Sequence, residues 1–581
     1  MKPVPMSDYR IERFSFDALA VGEWAAVDTQ HSNWPVVYTI DNERDIYVGE
    51  SLNGAARMRQ HLGTEAKQHL KRVQVIVDDT FNKSACLDLE SHFIRLFAGD
   101  GKYRVLNRND GISEADYYRR GDYQEVFDNI FEELRAAGYF TRSVEEIQNS
   151  DLFKFSPFKA LTQDQAIAVE DIMDGLIEDL HQGRASTIVV QGEPGTGKTI
   201  LAIYIMKLLG DLRRVDAQEF DRESMFADLF TEENRELLRG FRVGIVVPQQ
   251  SLRATMQAVF SRTPGLDKAS VLTPFDVGRS TEKFDLLIVD EAHRLNRRSA
   301  QAMGTLTRDF GEINRALFGS DGENRSQLDW ITHQSTHQIF LVDSAQAVRP
   351  ADLPRETLEE LSGGARAAKR FYPLTSQMRV RAGSDYVGYV RRLLERPDES
   401  APNFGEYDLR LFADFDAFHD AIMRRDREVG LSRVLAGYAW EWKSRKNSAA
   451  FDIELGTKQL QWNTTSKDWI NSSNSVREVG SIHTVQGYDL NYAGVIIGGD
   501  LKLDPVSGRT VFDRATYFDR RGKSNNNFLG QKFTDEDLLE YVRNIYGVLL
   551  SRGMLGTYVY VCDPALRQRL AELLPGPSGS R

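Results

Sequence analysis

The sequence predicts an α/β protein in which a small α+β domain precedes two domains built on parallel sheets. From Leu161 onward, short runs of Val, Ile and Leu recur, each followed by a helical pattern. Such unalternating runs are typical of parallel strands that are covered on both faces. The first 115 residues instead alternate strand-like runs, such as VVYTI and VQVIVDD, with helical ones. At 581 residues the chain is also too long for a single hydrophobic core.

Changes of pattern along the chain predict five segments. We expect the small domain over residues 1–115 and a charged helical connector over 116–155, where the sequence is polar and helix-forming. The first parallel-sheet domain should follow over 156–355 and the second over 356–575. The last residues, 576–581, are rich in Gly, Pro and Ser, and we expect a disordered tail there.

Composition indicates a soluble globular protein, with 41% hydrophobic and 27% charged residues. The two cysteines, Cys86 and Cys562, exclude a disulfide framework and favour a reducing cytoplasm. The N-terminus does not resemble a signal peptide, and no uncharged apolar run reaches about 18 residues, so we expect no membrane association. The net charge of -12 argues against a protein coated in basic patches. Groove binding of nucleic acid depends on local charge, however, so that class stays open.

A phosphate-binding pattern lies between a predicted strand, STIVVQ, and a predicted helix, ILAIYIMKLL. The segment 192–199 reads GEPGTGKT and matches GxxxxGK[ST]. Glycines let the backbone wrap a phosphate, and amides at the helix N-terminus point at its negative charge. Lys198 would reach the β- and γ-phosphates of ATP, and Thr199 would hold Mg²⁺. The predicted nucleotide-binding residues of this loop are Gly192, Gly195, Thr196, Gly197, Lys198 and Thr199.

A second predicted strand, DLLIVDE, ends in Asp290 and Glu291. Carboxylates at the end of a buried strand are costly unless they bind a metal or a partner. We expect Asp290 to be an Mg²⁺ ligand and Glu291 to orient the attacking water. Together with the phosphate loop, this pair predicts hydrolysis of ATP rather than binding alone.

Further motifs, in this order along the chain, resemble those of superfamily 1 helicases. The resemblance covers roughly residues 156–565, and the runs HTVQGYDLNYAGVIIGGDL and NIYGVLLSRGMLGTYVY are similar to the DUF2075 and Schlafen-type branch. One mild departure is Ser551, where many relatives have threonine. The motifs are LTQDQ with Gln165, VDSAQ with Asp343 and Gln346, LTSQMR with Arg379, IHTVQGYD with Gln486, Gly487 and Asp489, and VLLSRG with Arg552.

This resemblance implies two RecA-like motor domains that share one ATP. Gln165 would read the adenine, and Gln346 would link the nucleotide to the nucleic-acid track. Arg379 and Arg552 would reach the phosphates from the second domain, while Gln486 and Gly487 would lie across the cleft. Arginines that cross a cleft stabilise the transferring phosphoryl group only when the cleft is shut. Hydrolysis would therefore be coupled to closure, as in a motor that steps along nucleic acid.

The N-terminal segment resembles a GIY-YIG nuclease domain. It contains Tyr38 in VVY, Tyr47 in YVG, and then Arg57 and Glu90 on predicted helices, with Asn107 closing the set. The first element reads VVY rather than GIY, so the glycine that gives the family its name is absent. His61 follows Arg57 by one helical turn, and its catalytic role is left open.

The resemblance implies metal-dependent cleavage of a phosphodiester bond. Glu90 would bind one divalent ion, Mg²⁺ or in its place Mn²⁺, which lowers the pKa of a water. Tyr38 or Tyr47 would position or deprotonate the nucleophile, and Arg57 would neutralise the pentavalent phosphate. Residues 57–72 are locally basic, which suits a phosphate backbone. The alternative is an adaptor domain in which the tyrosines only pack.

The leading hypothesis is therefore an ATP-dependent translocase with endonuclease activity that acts on DNA, in the setting of bacterial genome defence against phage. Two alternatives stay open. One is a nucleotide-gated binding switch whose N-terminal domain recognises nucleic acid without cutting it. The other is an RNA-directed enzyme, since the Schlafen-type branch includes members that act on RNA. DNA is the favoured partner, and the sequence indicates no particular protein partner.

Overall fold

The computed structural model describes residues 9–107, 117, 120–158, 161–214, 226–301, 304–321, 325–343, 348–374, 385–465, 469–485 and 488–577. The chain forms two compact units. The first comprises Met1–Ile177, Thr199–Gly240 and Thr255–Ala269, and the second comprises Glu178–Lys198, Phe241–Ala254 and Ser270–Arg581. Among the described residues, no helix is long and apolar enough to cross a membrane.

The first unit contains a five-stranded sheet in the order β1-β4-β2-β3-β5. Its strands pair antiparallel except for β3 and β5, which are parallel. Strand β2 is buried along its whole length, because apolar side chains cover both faces of the sheet. The elements are β1 Arg10–Ser15, α1 Ala18–Val27, α2 Gln30–Asn33, β2 Val36–Asp41, β3 Asp45–Ser51, α3 Gly54–Leu62, β4 Arg72–Val77, α4 Lys83–Asp100, β5 Arg104–Val105, α5 Arg120–Ala136, α6 Val144–Gln148 and α7 Asp151–Lys154.

Helices α5 to α7 occupy the segment predicted as a helical connector. The segment is helical, and it also packs into the N-terminal core, which the prediction did not include. Phe127, Phe131 and the other apolar residues of α5 are buried in one cluster with Phe93 and Phe97 of α4. The rings of Phe97 and Phe140 stack with centroids 4.2 Å apart. The spacing of these apolar residues predicts a helix with one apolar face, and the fold shows that this face packs against α4.

The second unit contains two sheets, and we call the parts built on them the first and second lobes. The first lobe has a six-stranded, wholly parallel sheet in the order β11-β6-β10-β9-β7-β8. Its core lies between this sheet and the helices that follow the strands. In chain order, the elements from α8 to β11 are α8 Gln163–His181, β6 Ser186–Gly192, α9 Lys198–Leu212, α10 Glu232–Leu237, β7 Val243–Val246, α11 Gln250–Arg262, β8 Val271–Leu272, α12 Pro274–Arg279, β9 Phe284–Val289, α13 Gly304–Phe318, α14 Gln327–Gln334, β10 Ser335–Val342, α15 Arg355–Ala367 and β11 Phe371–Leu374. Of these, α10 and nearly all of α9 belong to the first unit, and α8 and α11 are divided between the units.

The second lobe has a seven-stranded sheet in the order β12-β20-β17-β13-β16-β15-β14, in which only the β14–β15 pair is antiparallel. The pair β18–β19 forms a separate hairpin. The two parallel sheets confirm the predicted α/β class. The elements are α16 Tyr386–Glu395, β12 Asp408–Phe412, α17 Phe415–Val429, β13 Ser432–Ala436, β14 Ile453–Leu455, β15 Lys458–Trp462, β16 Glu478–Gly480, α18 Ile482–Val485, β17 Leu490–Ile497, β18 Leu501–Leu503, β19 Thr510–Phe512, α19 Asp535–Leu550, β20 Gly553–Val561 and α20 Pro564–Ala571.

The lobes contact each other at two places within the described part of the second unit. Arg391 of α16 donates a hydrogen bond from Nη1 to Glu193 Oε1 of the phosphate loop, 2.8 Å away. On the segment after β9, the carbonyl of Arg298 accepts a hydrogen bond from Asn526 Nδ2 at 3.1 Å. The Arg298 guanidinium also lies 4.2 Å from the ring centre of Phe528. The lobes are thus held together both beside the phosphate loop and beside the carboxylates that follow β9.

Candidate nucleotide and phosphodiester sites

The parallel sheet of the first lobe brings three predicted motifs to one edge. Strand β10 lies between β6 and β9. The phosphate loop follows β6, Asp290 follows β9, and Asp343 follows β10. Because the carboxyl ends of parallel strands meet at the same edge, these groups are neighbours in space. Open α/β sheets bind ligands at this edge.

Glycine is required at three positions of the loop, namely the two glycines that the pattern fixes and Gly195 between them. Gly195 and Gly197 have φ angles of +88° and +79°, a region that other residues avoid. A Cβ atom on Gly192 would lie 2.4 Å from Thr196 Oγ1, well inside van der Waals contact. Thr196 Oγ1 itself donates to the carbonyl of Glu193 at 2.9 Å. The loop therefore has the compact backbone that the pattern predicts for a phosphate cradle.

Lys198 is buried at the start of α9, with its ammonium group turned onto the loop. Nζ donates to the carbonyl oxygens of Gly192 at 2.6 Å and Glu193 at 2.9 Å. The Asp343 carboxylate lies 3.7 Å from the same nitrogen. Thr199 is the second residue of α9 and is half-buried. A phosphate in the loop would compete with the two carbonyls for the Lys198 protons.

Asp290 and Glu291 form a strained and buried acidic pair. Asp290 is fully buried, and its Oδ1 accepts a hydrogen bond from the backbone amide of Glu291 at 3.0 Å. Glu291 has a φ of +50° and a ψ of +46°, a left-handed conformation that costs a non-glycine residue on the order of 1 kcal/mol or more. Such strain is concentrated at functional sites, where the surroundings force it.

His293 links the two acidic motifs, and the sequence analysis did not single it out. Its Nε2 lies 3.0 Å from Glu291 Oε2, and its Nδ1 accepts a hydrogen bond from the Asp343 backbone amide at 3.3 Å. Burial alone would raise the pKa of Glu291, but the contact with His293 and the nearby Lys198 hold it below its usual range. Glu291 is therefore ionised. The signal in the sequence was the histidine two residues after Glu291 in DEAH.

Two other predicted residues make hydrogen bonds that the sequence did not indicate. Gln165 is buried, and its Oε1 accepts a hydrogen bond from the Thr162 amide at 3.1 Å, so it caps the start of α8. Arg552 is also buried, after α19, and its Nη1 donates to the Tyr488 carbonyl at 3.2 Å. This contact lies within the second lobe. The predicted residues that lie outside the described part of the chain are Gln346, Arg379, Gln486 and Gly487.

In the first unit, Tyr38 and Tyr47 lie on neighbouring strands. Tyr38 is opposite Gly49 in the β2–β3 pair, and a Cβ atom on Gly49 would lie 2.3 Å from Tyr38 Oη. The Tyr38 side chain therefore lies directly over this glycine and is fully buried. The two tyrosine rings have centroids 6.3 Å apart.

Arg57 and Glu90 are near the same phenol, although they come from different helices. Burial alone would lower the pKa of Arg57, but Tyr38 and Tyr47 accept hydrogen bonds from its guanidinium and raise it. Burial raises the pKa of Tyr38 well above its ordinary value, and Tyr47 and Glu90 add to that effect. The four predicted residues are thus brought together by β2, β3, α3 and α4. Asn107 plays another part, since its side chain hydrogen-bonds both backbone groups of Val48.

His61 and Lys67 extend this cluster. Tyr38 Oη is 2.8 Å from His61 Nε2, and Lys67 Nζ is 2.9 Å from His61 Nδ1. Lys67 Nζ also lies 3.2 Å above the ring of Tyr47. Burial, with the charges of Lys67 and Arg57, lowers the pKa of His61 to about 2. His61 is therefore neutral, and because an ammonium group only donates, its proton is on Nε2 and points at Tyr38.

Glu90 is the carboxylate that the cluster offers to a metal ion. It is half-buried on α4, whereas Glu50 is in contact with the ammonium of Lys83. Among the described residues, no group of three or more His, Cys, Asp and Glu side chains is arranged to hold a metal ion. A metal at Glu90 would thus have one carboxylate ligand from the protein and complete its coordination with water and phosphate oxygens.

The model of the Schlafen group 3 DNA/RNA helicase domain matches residues 185–563, which is more than half of the chain. The chain belongs to this family. The Schlafen group 3 match includes the phosphate loop, both acidic motifs and the second lobe as far as strand β20. It begins after the five-stranded sheet, so it does not bear on the cluster around Tyr38.

The individual proteins to which this Schlafen group 3 chain is similar share only 13–25% of its residues. "Uncharacterized protein YPL245W" of Saccharomyces cerevisiae is 25% identical over 413 residues, which cover 66% of this chain and 83% of the relative. The Pif1 helicase from Bacteroides is 13% identical, with 70% and 94% of the two chains covered and a TM-score of 0.24. The arterivirus nonstructural protein 10 helicase is also 13% identical, with a TM-score of 0.24. The match covers 69% of this chain and 64% of that protein, so the chain spans about two thirds of its length. Such low TM-scores carry no argument about activity.

Proposed function

We propose that the chain is an ATP-driven nucleic-acid translocase with an N-terminal domain that cuts phosphodiester bonds, and that it acts on DNA in preference to RNA. The observation that carries the motor part is the set of Lys198, Asp290 and Asp343 at the carboxyl edge of one parallel sheet. The positive φ angles of Gly195 and Gly197 and the buried carboxylate of Asp290 fit MgATP. This ligand supplies the phosphoanhydride bond whose hydrolysis drives the cycle.

The residues of the first lobe divide the work of hydrolysis. Lys198 binds the β- and γ-phosphate oxygens, and Thr199 and Asp290 hold the metal ion. Glu291, ionised and held in a left-handed conformation, orients the attacking water. His293 transmits a shift of Glu291 to Asp343, because it contacts both. Arg552, and Arg379 by the same proposal, supply positive charge from the second lobe.

ATP turnover stimulated by nucleic acid tests the motor. Lys198→Ala removes the charge on the phosphates, so ATP binding and turnover should both fall. Glu291→Gln keeps the shape of the site but cannot orient the water, so ATP should bind and remain uncleaved. Glu282→Gln, an exposed glutamate before β9, is the matched control and should leave turnover unchanged. Wild-type turnover in Lys198→Ala would show that the motor assignment is wrong.

The N-terminal proposal rests on the convergence of Tyr38, Tyr47, Arg57 and Glu90. Arg57 is positioned to neutralise the charge that develops on a phosphate during cleavage. Glu90 would hold a divalent ion, Mg²⁺ or Mn²⁺, which supplies an acidified water. Tyr47, which is only half-buried, is better placed than Tyr38 to touch a substrate. Tyr38 accepts a hydrogen bond from the Arg57 guanidinium inside the cluster and so holds Arg57 in place.

Cleavage of supercoiled, linear and branched DNA by the full-length chain tests this proposal. Glu90→Ala should abolish metal-dependent cleavage. Arg57→Ala should reduce it by roughly 10²- to 10³-fold, the usual cost of one electrostatic donor. Glu125→Ala, an exposed glutamate of α5, is the matched control for Glu90. Parallel assays on RNA strands of the same sequence distinguish a DNA enzyme from an RNA enzyme.

A specific observation favours a second candidate for this domain. Tyr38 is fully buried and its pKa is raised, so the hydroxyl is neither exposed to substrate nor acidic. In this candidate the domain recognises nucleic acid without cutting it, and the nucleotide controls its affinity. If the full-length chain binds DNA and hydrolyses ATP but breaks no phosphodiester bond with any divalent ion, the adaptor function replaces the nuclease.

A further inference from the structure

A loop of the second lobe, residues 440–451, combines cationic and aromatic side chains. We call it the basic loop. It reads WEWKSRKNSAAF, and its Lys443, Arg445 and Lys446 are all exposed against one exposed carboxylate, Glu441. Among the described residues, none of the three cations forms an ion pair. The loop is therefore a local positive patch on a chain whose net charge is -12.

The basic loop has a defined shape, because buried polar groups anchor it. Asp452 is buried, and its carboxylate accepts hydrogen bonds from the Ser444 amide at 2.8 Å and the Trp462 amide at 2.8 Å. Gln461 Nε2 donates to the carbonyls of Ser448 at 2.7 Å and Ala450 at 2.8 Å. The cations are thus held in place before any ligand arrives, which lowers the entropic cost of binding.

Aromatic rings form the base of the loop. Trp440 and Trp442 are half-buried against Trp462, with ring centroids 6.4 Å and 6.3 Å away. The Arg445 guanidinium lies 5.8 Å from the centre of the Trp442 ring, and Phe451 is 39% exposed. Flat rings interleaved with cations fit unpaired bases with their phosphates, whereas an acidic protein would need the cations alone.

The position of the loop connects it to the motor. It follows β13, which is parallel to β16, so it leaves the sheet at the same edge as the motif that carries His483. Tyr438, just before the loop, lies 5.6 Å from the ring of His483. Burial raises the pKa of Tyr438 to about 12, and a hydrogen bond with Ser481 opposes that rise. The basic loop therefore begins beside the motif that carries His483.

We infer that the basic loop binds single-stranded nucleic acid, with phosphates on Lys443, Arg445 and Lys446 and a base against Trp442. This inference rests on the proposed motor function and identifies part of its track. The strand would continue from the loop past Tyr438. Phosphodiester chemistry is common to DNA and RNA, so the test includes both.

The salt dependence of strand binding by the full-length chain tests the inference. Fluorescence anisotropy measures the binding of labelled dT and rU strands of about 20 nucleotides at salt concentrations from about 50 to about 300 mM. The slope of the logarithm of the binding constant against the logarithm of the salt concentration is then compared between variants. Each phosphate contact to a single strand contributes about 0.7 to the log–log slope. Lys443→Gln with Lys446→Gln should therefore reduce the slope by about 1.4. The strand type that shows this loss is the one that the loop binds.

Arg424→Gln with Arg427→Gln is the matched control. These two exposed arginines lie near the end of α17, which leads into the opposite, amino end of β13. The control removes the same charge and should leave the slope unchanged, and both double variants should keep the thermal unfolding midpoint. Trp442→Ala should weaken binding by about 5- to 150-fold, the cost of one stacked base.

The remaining outcomes distinguish a failure of the proposed motor function from a failure of the inference about the basic loop. If the wild-type chain binds neither strand, the motor function falls and the inference falls with it. If the wild type binds but the lysine variant keeps its slope and affinity, the inference is overturned and the motor function stands. If polyglutamate competes as well as the strands at equal charge, the loop is a surface for acidic proteins and the inference is also overturned.

Discussion

Gly49 shows how one residue can decide the position of a site residue. Its missing side chain leaves the space that Tyr38 occupies, since a Cβ atom would lie 2.3 Å from Tyr38 Oη. Both the backbone of β3 and the buried Tyr38 ring are held by neighbours, so neither can move freely. The YVG sequence therefore has a steric meaning that is independent of any family resemblance.

We expect Gly49→Ala to destabilise the first unit by about 1–3 kcal/mol, as overpacking does, and to displace Tyr38 from Arg57. Thermal unfolding and phosphodiester cleavage would measure the two effects. Gly22→Ala is the matched control, because nothing lies within 4 Å of the added methyl group on α1. That change should stabilise the helix by up to about 1 kcal/mol. Equal effects of the two changes would contradict the steric argument.

His61 predicts how acid acts on the same cluster. Burial lowers its folded pKa to about 2, whereas the unfolded value is about 6.5. Below about pH 6.5 the unfolded chain takes up a proton at His61 that the folded chain does not take up. The free energy of unfolding therefore falls as the pH falls, by up to about 1.4 kcal/mol per pH unit. Hydrogen exchange of the β2 amides, corrected for intrinsic rates, should lose protection more steeply in the wild type than in His61→Gln. Parallel slopes would show that His61 is not the group responsible.

Among the elements, α5 completes the N-terminal domain. Four of its side chains are fully or almost fully buried, namely Phe127, Ile130, Phe131 and Leu134. At about 1.5–3 kcal/mol for each, their burial contributes roughly 6–12 kcal/mol. A whole domain is stable by only about 5–15 kcal/mol, so the domain cannot spare this helix.

A fragment of residues 1–115 should therefore lack a cooperative unfolding transition, whereas a fragment of residues 1–158 should have one. Circular dichroism during heating would distinguish them. Within the longer fragment, Phe131→Ala should cost about 3–5 kcal/mol, and Leu87→Ala, at a position 45% exposed, should cost less than about 1 kcal/mol. A cooperative transition in the shorter fragment would show that α5 is dispensable.

For the whole molecule, the central question is how the second lobe reaches the phosphates. Arg552 is buried beside Tyr488, so closure must move it or the segment around it if it is to touch ATP. Arg391 already contacts the phosphate loop through Glu193, but this pair is exposed and is worth at most about 1 kcal/mol. This ion pair by itself therefore holds the two lobes together only weakly.

Arg552→Gln should bind ATP almost normally and lose turnover by on the order of 10³-fold, as for arginine fingers. Glutamine keeps part of the hydrogen bonding to the Tyr488 carbonyl, which limits the damage to the fold. Fluorescent-nucleotide binding and steady-state turnover separate the two quantities, with Arg424→Gln as an exposed control. Weaker ATP binding with unchanged turnover would place Arg552 in ground-state binding instead.

The local pattern of residues determined much of this protein. Unalternating apolar runs predicted the parallel strands, and the glycine spacing predicted a loop whose φ angles are positive where expected. The order of motifs predicted the helicase family. These features are local, because a strand, a turn and a motif each depend on residues close together in the chain.

Only the tertiary structure decided which distant residues meet. His293 contacts Glu291 and Asp343, which lie on different strand ends, and Lys67 completes the cluster of Tyr38 through His61. The polar character of residues 116–155 indicated a connector, yet their apolar minority packs against α4. Motifs single out Gln165 and Arg552, and the structure adds that one caps a helix and the other is hydrogen-bonded to Tyr488. The physical reason is that burial and charge depend on what packs around a side chain, and that is set by contacts between residues far apart in the sequence.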